Sequence, residues 1–222
     1  MSINIAIDGP AGAGKSTIAK RIAKELSFIY VDTGAMYRAM AIHLLRQGTS
    51  MEDQAAIEAG CTSAKISIVY VDGEQQVLLD GENVTGELRT EAVGNMASVS
   101  SANPRVREKL LELQRDLARE NNVVMDGRDI GTTILPRADV KIYLTASVHT
   151  RALRRYQELK EKGEDCSLEA IEKDIEDRDY RDMHREISPL CQAEDAVLVD
   201  SSQMTIEEVV AEILQIYHEK KG

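Results

Sequence analysis

Apolar positions follow two rhythms that alternate along most of this chain. Residues 3–7 form a short apolar run ending in a glycine-rich turn, which predicts a buried strand feeding a helix. Spacing of three and four then predicts a helix over about 15–26, with Ile18, Ile22, Ala23 and Leu26 inward. A second strand is expected at 29–31. A second helix follows at 35–46, with Met36, Ala39, Met40 and Leu44 on one side and Gly48 as its stop. The pattern changes at 65–71, where apolar residues alternate, turn at Asp72-Gly73 and resume at 76–79, the signature of a hairpin. Asp80-Gly81 offers another turn before a third short strand near Asn83 and Val84. From Asn103, a cap placed before Pro104, a helix runs to about Glu120. Runs without alternation at 123–125, 140–144 and 196–199 predict strands covered on both faces. Thr205 and Glu208 form a capping box for a last helix carrying Ile206, Val209, Val210 and Ile213 inward.

Five short buried strands alternating with helices describe an α/β chain. The expected architecture is a five-stranded parallel sheet flanked by helices, with a small antiparallel sheet inserted at about 64–85. A chain of 222 residues suits one such unit with small insertions. No internal repeat or low-complexity segment interrupts it.

Composition narrows the partners. An apolar fraction of 43% supports a buried core, and a formal charge of −11 argues against a nucleic-acid polymer, which is held by basic faces. A small phosphorylated ligand stays open, because a few arginines in a cleft override net charge locally. Cys61, Cys166 and Cys191 are widely spaced and odd in number, so a disulfide framework or zinc site is not expected and a reducing cytosol is. No basic region precedes an apolar run at the start of the sequence, and no apolar run is long enough to span a bilayer. None of the four histidines pairs with a nucleophile or a ligand set, and all four read as structural or surface residues.

Gly9-Pro10-Ala11-Gly12-Ala13-Gly14-Lys15-Ser16 fits G-x-x-x-x-G-K-[ST] between a predicted strand and a predicted helix. Such a loop turns consecutive backbone N–H groups around a phosphate chain, with the helix N-terminus behind them. Lys15 can then reach the β- and γ-phosphates of ATP, Ser16 offers a hydroxyl to Mg2+, and Thr17 can bond the α-phosphate. No guanine-reading Asn-Lys-x-Asp occurs, which removes the main support for a GTPase switch.

Phosphoryl transfer to a second phosphate needs arginines outside this loop, since two anions are brought into line. Leu168, Ile171 and Ile175 step along one helix face, and the same stepping lands on Arg178, Asp182 and Arg185. This reads either as a helix whose far half borders a polar cleft or as a solvated end with ion pairs. Thr33 and Arg38 open the second helix as a cap and a cleft-facing or surface arginine. Arg105 and Arg107 stand in a first helical turn, where the dipole does not favour them. Asp126-Gly127-Arg128-Asp129 follows a buried strand, either as ligand groups at its carboxyl end or as a plain turn. Arg151, Arg154 and Arg155 begin a charged helix broken at Gly163, either a mobile flap over ATP or an exposed helix.

Five segments in order, 9–17, 32–38 (Asp-Thr-Gly-Ala-Met-Tyr-Arg), 104–108 (Pro-Arg-Val-Arg-Glu), 126–132 (Asp-Gly-Arg-Asp-Ile-Gly-Thr) and 178–185, together resemble the bacterial cytidylate kinases over essentially the whole chain. The resemblance implies an adenylate-kinase-like P-loop NTPase fold divided into core (1–34), a nucleoside-monophosphate region (35–100), core (101–150), a short lid (151–167) and core (168–222). It also implies transfer of the γ-phosphoryl group of ATP to CMP and dCMP with Mg2+, in a cytoplasmic monomer. By position, Arg38 and Arg128 would clamp the acceptor phosphate. Ser98, Arg107 and Asp129 would read the cytosine, and Arg178 and Asp182 would lie on the ribose side. Arg185 would contact phosphate near the transfer point, with Thr33 as a further substrate contact. Arg151 and Arg155 would be flap residues on the ATP side. Ser16 would bind Mg2+ directly and Asp126 through water, and the catalytic charges would be Lys15, Arg128, Arg178 and Arg185. A kinase for another small acceptor such as UMP, or a P-loop ATP-binding module without turnover, are the other readings these residues allow.

Overall fold

A computed structural model describes residues 2–221; Met1 and Gly222, which fall within the expected core segments, lie outside the described residues. The elements are β1 (Asn4–Asp8), α1 (Lys15–Leu26), β2 (Ile29–Asp32), α2 (Thr33–Arg46), α3 (Gln54–Cys61), β3 (Ile66–Val71), β4 (Glu74–Leu79) and β5 (Glu82–Asn83). They continue with α4 (Glu91–Ser100), α5 (Pro104–Glu120), β6 (Val123–Gly127), β7 (Val140–Thr145), α6 (Val148–Glu161), α7 (Leu168–His184), β8 (Val197–Asp200) and α8 (Ile206–Lys221). The five-stranded parallel sheet has the order β2-β6-β1-β7-β8, and β3-β4-β5 is a separate antiparallel sheet. Connections leaving β1 and β7 run to opposite sides of the sheet, so the carboxyl end of β1 is the point where open α/β folds receive ligands.

The described residues form two compact units: one holds 29–123 with Ser2, the other holds 3–28 and 124–221. In the second, β1 pairs with β7 in parallel register, Ile5 opposite Val140 and Ile7 opposite Ile142. Ile5, Ile7, Val124, Met125, Val140, Ile142 and Leu144 are almost wholly enclosed, which is why these strands read as mainly apolar runs. Helix α8 has the expected capping box, with Thr205 N–H bonded to Glu208 Oε2 at 2.8 Å and Glu208 N–H to Thr205 Oγ1 at 3.2 Å. Its inward face is carried by Val209 and Ile213, whereas Ile206 is 42% exposed.

In the 29–123 unit, α2 is the axis, with Met36, Met40 and Leu44 fully buried. The hairpin β3–β4 turns at Asp72-Gly73, both at positive φ, and is tied back by Tyr70 Oη donating to Tyr30 O at 3.0 Å. The cap of α2 is Asp32, which accepts from Ala35 N–H at 2.9 Å, and not the expected Thr33, which is the first helical residue. Helix α5 begins at Pro104 behind its Asn103 cap and groups with this unit. Residues 151–167 comprise the later turns of α6 and its connection to α7.

Candidate active site

The phosphate loop is fixed by what surrounds it. A Cβ on Gly9 would lie 1.9 Å from Leu144 O, so the loop leaves β1 pressed against the backbone of β7. Of the eight α-helices among the described residues, seven carry a side-chain N-cap; α1 begins after left-handed Gly14 with no capping side chain and no acid in its first turn. Its amide donors and positive dipole end are therefore available to an anion.

Lys15 opens α1, is buried and donates from Nζ to Pro10 O at 2.7 Å, closing the loop on itself. Burial holds its ammonium well below the ordinary lysine pKa, and the charges of Arg128 and Arg178 add to that, against Asp126 and Asp8. Arg128, directly after β6, and Arg178 on α7 therefore place their positive charge near Lys15. Arg128 Nε bonds Asp182 Oδ2 at 2.9 Å. Burial opposes the charge of Asp182, yet Arg128 first, then Arg178 and Arg185, hold its carboxyl below the usual carboxylate range. Arg185 pairs with Asp129 at 3.4 Å and donates from Nε to Ser188 O at 2.7 Å. The stripe from Ile175 to Arg185 therefore does face a polar cluster, and Asp179, one step beyond Ile175 on that face, joins it.

Ser16 Oγ donates to Asp126 Oδ2 at 2.9 Å. A hydroxyl and a carboxylate oxygen side by side next to the phosphate loop suit Mg2+, which takes one or two protein oxygens and completes its shell with phosphate and water. These residues fit that ion.

Other predicted residues fall elsewhere. Arg151 does not stand on a solvent-facing flap: it is 3% exposed and donates to Ala11 O, Ala146 O and Asp179 Oδ2 at 2.9, 2.9 and 2.6 Å. It staples the phosphate loop to α7, its Nη1 bonded to Ala11 O and its Nη2 to Asp179. Arg155 is exposed and paired with Glu158 at 3.0 Å, and Thr17 is exposed. In the 29–123 unit Thr33 is buried and Arg107 is 8% exposed, its guanidinium 5.5 Å from the Tyr37 ring and bonded to Ser101 O at 3.1 Å. Arg38, next to Tyr37 on α2, and Ser98 on α4 are half-buried.

One buried acid escaped the sequence reading. Asp8 accepts Ile130 N–H at 2.8 Å and Gly131 N–H at 2.7 Å. Burial pushes its carboxyl up to about 6, outweighing those donors, with Asp129 adding to the rise and Lys15 opposing it. Between about pH 4 and 6 the folded chain keeps a proton that the unfolded chain has released, so this group costs stability as pH rises through that window. Relative to Asp8→Asn, the native chain should lose about 3 kcal/mol between pH 4 and 7. Urea unfolding at stepped pH checks this; parallel stability curves for the two proteins would refute it.

A loop built to wrap a phosphate chain, with arginines paired to acids near its lysine, defines a P-loop phosphotransferase with a small anionic acceptor. The sequence profile of the family described as "Cytidylate kinase" matches residues 5–219, and the chain belongs to that family. A protein named cytidylate kinase from Ligilactobacillus salivarius is 52% identical over 98% of this chain and 97% of its own length. Another so named, from Caldicellulosiruptor saccharolyticus, is 49% identical over 99% and 97%. A solved structure of an uncharacterized protein from Eubacterium ventriosum covers 96% of this chain and 97% of its own at a TM-score of 0.53 and 11% identity, a likeness of fold.

Proposed function

We propose that this chain transfers the γ-phosphoryl group of ATP to CMP, with dCMP as a second acceptor, giving CDP or dCDP and ADP. The observation that carries the reading is the phosphate loop itself: α1 begins after Gly14 with no capping side chain, and Lys15 Nζ is folded back onto Pro10 O at 2.7 Å. An uncapped helix N-terminus with a lysine at its mouth favours a bound phosphate chain. The names of relatives about half identical over nearly the whole chain support the choice of acceptor.

The acceptor phosphate is already a competent nucleophile, so the chain's task is alignment and charge cancellation rather than proton removal. The loop amides and Lys15 hold the β- and γ-phosphates. Arg128 holds the acceptor phosphate, while Arg178 and Arg185 face charge that develops during transfer, and Asp129 and Asp182 orient these guanidinium groups. Mg2+, when bound through Ser16 with Asp126 behind it, neutralises charge on the β- and γ-phosphates. In the 29–123 unit the CMP-directed residues are Thr33, Arg38, Ser98 and Arg107. A free nucleotide rather than a polymer suits the net charge of −11, no described helix is long and apolar enough to cross a membrane, and a cytoplasmic monomer completes the reading.

ADP release with ATP, Mg2+ and each nucleoside monophosphate in turn is the test. CMP and dCMP should be the fastest acceptors by at least about tenfold, the scale of one well-read polar group. Faster turnover of UMP, or no turnover with any acceptor, would sink the proposal.

A further inference from the structure

Asp8 is the buried charge closest in sequence to the phosphate loop that phosphoryl transfer leaves without a task. It ends β1, directly before Gly9, and its two oxygens take one backbone donor each. Those donors, Ile130 and Gly131, open the single π turn Ile130–Ile134 that follows Arg128 and Asp129. Two charge-assisted bonds from one rigid carboxylate fix both the distance and the rotation of the backbone they hold. The space beside Gly131 is also filled: a Cβ there would lie 3.1 Å from Lys141 Cδ and 3.4 Å from Asp8 Oδ2. The Lys141 ammonium is committed to Pro136 O and Asp195 at 2.7 and 2.8 Å, so only its stem forms this wall. The other ionisable groups facing Asp8 are Lys15 from α1, Asp129 from the loop and Tyr143, its register partner on β7.

We propose that Asp8 is a positioning residue that locks the Arg128–Asp129 loop to the strand carrying the phosphate loop, and so sets the spacing between Lys15 and Arg128. The inference deepens the kinase reading above and rests on it for its rate measurements. Donor and acceptor phosphates are aligned by groups on the two sides of this clasp, and a displacement of the order of 1 Å in such an alignment costs about a hundredfold in rate.

Asp8→Asn keeps the size of the side chain but turns an amide donor toward an N–H donor. Turnover with CMP should fall by about a hundredfold while the KM for ATP stays within about threefold. The Tm at pH 7 should not fall, because a buried charge has been removed, and amide exchange should quicken at Ile130 and Gly131. Gly131→Ala crowds the same contact, its Cβ wedged between Lys141 and Asp8, and should give a similar loss. The double variant should lose no more than the worse single one, since both break one clasp. Unchanged turnover in Asp8→Asn, additive losses, or a falling Tm with faster exchange throughout the sheet would each overturn the proposal. A native chain that makes no CDP refutes the kinase reading instead. The clasp is then judged by exchange alone: faster rates confined to Ile130 and Gly131 uphold it, and unchanged rates overturn it.

Discussion

Arg128→Ala should lower turnover of CMP by at least about a hundredfold, the scale of losing one preorganised charge donor. The guanidinium stands at the carboxyl end of β6, 21% exposed, and its charge is felt by both Lys15 and Asp182. Removing it leaves Asp182 buried with one fewer counter-charge, so some stability goes too. Arg128→Lys separates the two effects: it restores a charge near Asp182 but not the planar fork, so the Tm should recover more than the rate does. A fall of less than tenfold in Arg128→Ala would remove this residue from the acceptor's contacts.

Lys15→Met should act in opposite directions on rate and stability. The ammonium is enclosed and repelled by Arg128 and Arg178, so exchanging it for an apolar chain of similar length should raise the Tm of the nucleotide-free protein. Turnover should drop by about a thousandfold, the upper end of what one transition-state donor supplies. Thermal unfolding without nucleotide and ADP release at saturating ATP check the pair. A lower Tm would mean that the buried lysine holds the fold together, and that the cost ascribed to its burial is wrong.

Much of this was legible because local chemistry and global fold agree. Strands β1, β6 and β7 are covered on both faces and showed as apolar runs, and Asn103-Pro104 and the Thr205–Glu208 box announced their helices by capping alone. Helices α3 and α4 lack a sustained apolar stripe and were not read. The stripe from Leu168 to Arg185 carried part of the picture: Leu168 and Ile171 are only half-buried, Ile175 is buried, and Asp182 and Arg185 meet Arg128 and Asp129. Asp8 was not legible, because its partners are backbone amides 122 and 123 residues away, and amides leave no mark in a pattern of side chains. Arg151 misled for a related reason. An arginine in the first turns of a charged helix looks solvent-bound until the fold supplies Ala11 O and Asp179.

The pairing of Arg128 with Asp182 and of Arg185 with Asp129 has a consequence for life among competing anions. Each guanidinium already has a counter-ion inside the protein, so the resting cleft offers stray inorganic phosphate or sulfate an exchange of partners rather than an unmet demand. Negative charge alone gains little there. On the kinase reading proposed above, an acceptor nucleotide would repay that exchange through the further contacts of its sugar and base.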